Sequence, residues 1–165
     1  MRLLKLALIS FISLFIVVTG ISLFIPFHIR ISKAINIVGT EESVMQKISE
    51  PEEWRKWYPG LDTAEVIKEQ GIIKGYRIRN RATILLTTRE KNEVRAEFAG
   101  GNMKPVQNVW KTTVNQGSDS LTLQWYMDFN LRWYPWEKFA SLLLEKSYGP
   151  RMEKGLSTIK KDVEN

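Results

Sequence analysis

The sequence predicts an α+β protein in which one antiparallel sheet is covered by a long C-terminal helix, behind a single transmembrane helix. Three observations predict it. Leu6 to Phe27 runs twenty-two residues without a charge, and at ~1.5 Å of rise per residue about 20 apolar residues cross a hydrocarbon core of ~30 Å. Stretches of period-two alternation follow, separated by turn residues, as in an antiparallel meander. Phe139, Leu142, Leu143, Tyr148, Met152, Leu156, Ile159 and Val163 then approximate a helical stripe that suits the exposed apolar side of such a sheet.

The apolar segment competes with a signal peptide, whose apolar stretch is roughly 7–15 residues before a small-residue cut. Val18-Thr19-Gly20 is a weak cleavage site, and cutting there leaves the apolar stub Ile21 to Phe27 on the chain. Length therefore favours an uncleaved anchor over residues 1–27 and one domain over residues 28–165. The amino terminus, Arg2 and Lys5 precede the span, while Arg30 and Lys33 follow it. This slight basic excess predicts the N-terminus inside and the domain on the extracytoplasmic side, with a cytoplasmic domain as the alternative.

After the anchor, Ile29, Ile31, Ile35 and Ile37 alternate with polar or small residues up to Val38, giving a first strand with one buried face. Gly39-Thr40 ends it. Thr40 followed by Glu41 and Glu42 reads as an N-cap with acids in the first helical turn, and Val44, Met45 and Ile48 form the inward side. Pro51 suits the first position of a second short helix, which carries Trp54, Trp57 and Tyr58 before the Pro59-Gly60 stop.

Six further strands are predicted over residues 64–69, 75–81, 83–90, 93–100, 106–115 and 121–131. Leu121, Leu123, Trp125, Met127, Phe129 and Leu131 form one face of the last, and Thr122, Gln124, Tyr126, Asp128 and Asn130 the other. In the C-terminal segment Gly149-Pro150 is expected to kink the helix or divide it, with Pro150 starting the second piece.

Composition narrows the chemistry. With no cysteine and one histidine, His28, the chain assembles neither a disulfide framework, a typical zinc site nor a Ser-His-Asp triad. The net charge of +6 falls to +4 once Arg2 and Lys5 are assigned to the anchor. The remaining basic residues are scattered among acids, unlike a nucleic-acid footprint, and suit proximity to an anionic membrane surface. Glu65, Glu69, Glu90, Glu93 and Glu97 read as solvated decoration of a sheet face rather than as a carboxylate metal site. No cofactor is implied.

Three features retain more than one reading. Arg77, Arg79 and Arg81 alternate along one strand, as a site for a phosphate, lipid head group or acidic partner, or as a row paired with Glu93 and Glu97 on a neighbouring strand. Asp128 is a candidate general base if it turns inward, but alternation points it outward. Trp133, Tyr134, Pro135 and Trp136 form a cavity lip, an interfacial membrane contact, or a packed link between the last strand and the long helix. Gly100-Gly101-Asn102 is a loop without the spacing of a phosphate-binding motif.

The order of elements resembles the helix-grip fold of the START-like superfamily, the polyketide cyclase/dehydrase and lipid-transport group also called SRPBCC. Three stretches carry the resemblance: Ile35-Asn36-Ile37 leading into Thr40 to Ile48; the tryptophan-rich Pro51-Glu52-Glu53-Trp54-Arg55-Lys56-Trp57-Tyr58-Pro59; and Met152 to Lys161 at the end of the last helix. The resemblance implies a curved sheet gripping the C-terminal helix, with a cavity for an apolar ligand between them. Trp54, Trp57, Tyr76, Ile78, Phe98, Trp110, Trp125, Met127, Phe129, Phe139 and Leu143 are its candidate lining, and for each taken singly plain core packing is the favoured reading.

The expected function is a membrane-tethered, non-enzymatic module that binds a small hydrophobic or lipid-like ligand. Two alternatives stand beside it. A cyclase- or hydrolase-type enzyme needs Asp128, Tyr126 or a side chain of Arg77 to Arg81 pointing into the cavity. A cavity-less interaction module needs a filled interior and an exposed apolar patch, and its protein partner is unspecified.

Overall fold

A computed structural model describes residues 2–79, 82–101 and 104–165. The chain begins with α1 (Arg2–Ser22), long and apolar enough to cross a membrane and exposed over most of its length up to the buried Ser22. It stops before the predicted Phe27, because Pro26 bars the preceding residue from helical geometry and residues 23–27 become a connection.

The domain then runs β1 (His28–Val38), α2 (Glu41–Ser49), α3 (Pro51–Trp57), β2 (Glu65–Glu69), β3 (Ile72–Ile78), β4 (Ala82–Arg89), β5 (Glu93–Ala99), β6 (Val106–Val114), β7 (Ser120–Asn130), α4 (Pro135–Ser141) and α5 (Leu144–Glu164). The seven strands form one antiparallel sheet in the order β1-β7-β6-β5-β4-β3-β2. Six of them follow as a meander of sequence neighbours. The exception is β1, which pairs along its whole length with β7, from His28↔Asn130 to Val38↔Ser120.

Local chemistry places the short helices as read. The Thr40 side chain accepts a hydrogen bond from the Ser43 backbone N–H at 3.3 Å, and Pro51 opens α3. The inner face of β7 is buried, and α5 lays Met152, Leu156 and Ile159 against the sheet. Gly155 lets the helix come close: a Cβ there would stand 2.8 Å from Trp125 Cζ3 and 3.2 Å from the Trp57 carbonyl oxygen. No larger residue fits without moving buried groups.

Two boundaries differ from the expected ones. The strand placed at 75–81 occupies Ile72–Ile78, because its first residues pair with β2 through Glu69↔Ile72 and Lys68↔Ile73. Arg79 therefore follows the strand, and Arg81 lies outside the described residues. The second difference concerns division at Pro150: the proline sits inside a continuous α5 and does not start a new helix, and the division falls instead at Leu142–Leu143. Packing overrides the proline here. The buried side of α5 runs on across it, and Lys33, an inward residue of β1, holds Glu145 at 2.7 Å and Glu153 at 2.9 Å on either side of Gly149-Pro150. These two carboxylates raise the Lys33 ammonium well above its ordinary pKa.

Candidate functional site

Between sheet and helix lies a cavity of about 320 Å³. Tyr58, Pro59 and Gly60 enter it from the end of α3, Ile78 and Arg79 from the end of β3, and Ala82 from the start of β4. Phe98, Gly100 and Gly101 come from the end of β5, Trp125 and Met127 from β7, and Tyr148, Arg151 and Met152 from α5. This volume is at the small end of the ~300–1,000 Å³ typical of ligand pockets.

Trp125, Met127 and Met152 are buried and make the apolar depth. Trp125 is aimed by its indole N–H, which donates to Asn108 Oδ1 at 3.2 Å on the adjacent β6. Tyr58 stands 5.2 Å from the Trp125 ring, and behind both lie Trp57 and Trp110. The Tyr58 and Tyr148 phenols are pushed above their ordinary pKa by burial, so both stay protonated and can donate hydrogen bonds near neutral pH.

The mouth is cationic. Arg79 and Arg151 are exposed on the cavity lining, and among the described residues neither has a carboxylate within 4 Å. The described lining includes no Asp, Glu or His. A guanidinium without an acidic partner is free to bind an anion in a bidentate way.

Of the residues singled out from sequence, Ile78, Phe98, Trp125 and Met127 line the cavity. Trp54, Trp57, Tyr76 and Trp110 form a packed layer behind it, their polar atoms mostly spent on backbone. Trp54 Nε1 donates to Ile48 O at 2.8 Å, Trp57 Nε1 to Lys47 O at 3.0 Å, and the Tyr76 hydroxyl to Pro51 O at 2.9 Å. Phe129 packs on Tyr148 at 5.2 Å. Phe139 is half-buried on α4 and Leu143 is exposed in the α4–α5 turn, both outside the lining.

The outward electrostatic features follow the alternation of β7, whereas the expected cross-strand pairing of the arginine row does not form. Asp128 faces outward, accepting from Arg30 Nε and Nη2 at 2.7 and 2.8 Å, with His28 Nε2 3.3 Å away. Tyr126 is on the same outer face, under the Arg30 guanidinium. Arg77 pairs with Glu65 at 3.6 Å rather than with Glu93 or Glu97, because β4 separates β3 from β5. Tyr58, Tyr148, Arg151 and Met152 were missing from the candidate lining, whereas Arg79, one of the arginine row that the enzyme alternative requires at the cavity, is on it. Tyr148 and Met152 carried a signal, their place in the helical stripe, whereas nothing local marks Arg151.

A curved antiparallel sheet wrapped on a C-terminal helix, with an apolar cavity between, defines a START-like helix-grip domain. The chain belongs to the polyketide cyclase/dehydrase and lipid-transport family, whose model matches residues 28–164. Solved structures share the fold at low identity. They include the Zhui aromatase/cyclase from a Streptomyces species (11% identity, TM-score 0.63, 83% of this chain and 94% of that one). A START superfamily protein from Mycobacterium smegmatis is similar at 15% identity (TM-score 0.58, 82% and 97%). XoxI from Bacillus cereus is similar at 13% (TM-score 0.59, 81% and 94%). Among curated proteins, none matches the chain.

Proposed function

We propose that this chain is a membrane-tethered, non-enzymatic module binding a small amphiphile, an apolar body with one anionic end. The observation that carries the reading is the contrast within one cavity: Trp125, Met127 and Met152 at its depth, and at its mouth Arg79 and Arg151, with no acid beside them among the described residues. The apolar body is taken from water at about 25 cal/mol per Å² buried, and the arginines select the charged end. α1 supplies the tether. The two protonated phenols favour a second reading, a cyclase-type enzyme in which Tyr58 or Tyr148 polarises a ligand carbonyl by hydrogen bonding.

The test is native mass spectrometry of the full chain released from detergent, followed by titration with a fluorescent long-chain fatty acid and its neutral alcohol. A retained acidic amphiphile is expected. In the Arg79→Ala/Arg151→Ala double variant, affinity for the acid is expected to fall about tenfold, as the loss of one to two screened charge-assisted contacts implies, with the alcohol unchanged. A clean apo mass with no uptake of either probe sinks the proposal. Turnover of a bound polyketide-like ketone, lost in Tyr58→Phe or Tyr148→Phe, would move the reading to the enzyme.

The proposed orientation, N-terminus inside and domain exported, predicts that alkaline phosphatase fused after Phe27 is active in cells. An inactive, stably expressed fusion places the domain in the cytoplasm.

A further inference from the structure

The short helix α4 is built inside out. Its polar residues Lys138 and Ser141 are buried, while Trp136 is 63% exposed. Apolar exposure continues on both sides, with Trp133 at 60%, Leu142 at 65% and Leu143 at 61%. Trp136 stacks on Tyr134 with centroids 4.9 Å apart, and Trp133 packs beside the same ring at 5.0 Å. A helix with its stripe facing water is unpartnered as it stands.

What α4 is fastened to identifies the missing partner. The Lys138 ammonium is fully buried, donating to the carbonyls of Ser22 at 3.1 Å and Ile25 at 2.8 Å, and lies 3.6 Å from the Phe27 ring centroid. The Ser22 carbonyl is the last of α1, where its backbone partner is a turn bond from the Ile25 N–H at 3.1 Å, and a cation at this end also suits the helix dipole. The Leu131 N–H donates to Phe27 O at 2.7 Å, tying the strand that leads into α4 to the same connection. Leu23, Phe24 and Phe27, on that connection, are exposed as well.

We infer that the outer face of α4, with Trp133 before it and Leu142–Leu143 after it, is a second membrane contact, lying in the head-group–acyl boundary of the bilayer that α1 crosses. The inference rests on the tether reading of α1. A helix end leaving the hydrocarbon core sits at head-group depth, so a surface held to its carbonyls by a buried ammonium is at that depth too. Tryptophan and tyrosine are the residues that favour it, and a short helix with an apolar outer face lies in the plane of the interface. The domain thereby meets the membrane in one fixed attitude.

The test uses the full chain reconstituted in vesicles of phosphatidylcholine and phosphatidylglycerol, the phosphatidylcholine brominated at successive acyl positions. All six tryptophans lie outside α1, so tryptophan quenching reports the domain alone, while flotation of the vesicles reports the tether. Flotation with quenching strongest for bromines nearest the head group, and loss of that quenching in Trp133→Ser/Trp136→Ser, is expected. Flotation without quenching, or quenching unchanged in the double variant, overturns the inference and leaves the tether standing. Failure to float removes both. An emission shift that follows protein density and ignores bromine position assigns the face to a second copy of the chain and also overturns it.

Discussion

Trp110→Ala is expected to destabilise the domain by about 3–5 kcal/mol, the cost of emptying a large, fully buried aromatic site. Trp110 is the hub of the aromatic layer. Its ring lies 5.5 Å from Trp54, 5.6 Å from Trp57, 6.2 Å from Tyr58 and 5.5 Å from Trp125, and none of it reaches water. Such contacts add roughly 0.5–1.5 kcal/mol per aromatic pair beyond area burial. Against a typical total of about 5–15 kcal/mol, this loss brings the folded state close to its limit. Denaturant unfolding of the full chain, read by near-ultraviolet circular dichroism, measures it. The indole N–H has no acceptor among the described residues, so Trp110→Phe is expected to recover most of the loss. An alanine variant within about 1 kcal/mol of wild type would contradict the assignment of Trp110 to the packed layer.

Gly75→Ala has a comparable effect by the opposite route, since it adds an atom where none fits. Gly75 pairs with Leu85 on β4, and a Cβ on it would stand 1.9 Å from the Ile84 carbonyl oxygen and 2.9 Å from Leu85 Cα. Both obstacles are backbone, so no change of rotamer relieves the clash, and the β3–β4 ladder must shift. A cost of about 3 kcal/mol or more is expected, at or above the upper end of overpacking penalties. The damage should be local. Amide hydrogen exchange is expected to quicken across residues 65–89 while β6, β7 and α5 keep their protection. Ligand uptake should fall as well, because Ile78 and Arg79 extend from the displaced strand to the cavity rim. Wild-type protection in β3 would show that the sheet accommodates the methyl and would refute the prediction.

The apolar depth of the cavity and its polar mouth were unequally legible. Trp125 and Met127 are visible in sequence because β7 alternates strictly over eleven residues, and the period alone says which side is inward. Tyr148 and Met152 belong to a stripe whose spacing also shows. Arg79 and Arg151 are seventy-two residues apart; Arg79 stands out only as one of an alternating row that also reads as cross-strand pairing, and Arg151 by itself reads as a surface arginine. Their shared position is a property of the sheet order and of where α5 lies across it. The reach of sequence reading was similarly limited at Arg77, whose acidic partner depended on which strand was its neighbour.

The sequence by itself determined the succession of elements as far as β7, the caps at Thr40 and Pro51, the apolar helix at the start and the inward faces of β1 and β7. Each of these depends on residues within a few positions of one another, where hydrogen-bond geometry and apolar periodicity act directly. The tertiary structure alone decided that α5 passes through Pro150 without a break, that Lys138 turns inward to the end of α1, and that two arginines with no acidic partner among the described residues share one cavity mouth. Those outcomes depend on contacts between residues distant in the chain. Burial and charge pairing across that distance outweigh local propensities of ~1–3 kcal/mol, and no local pattern carries them.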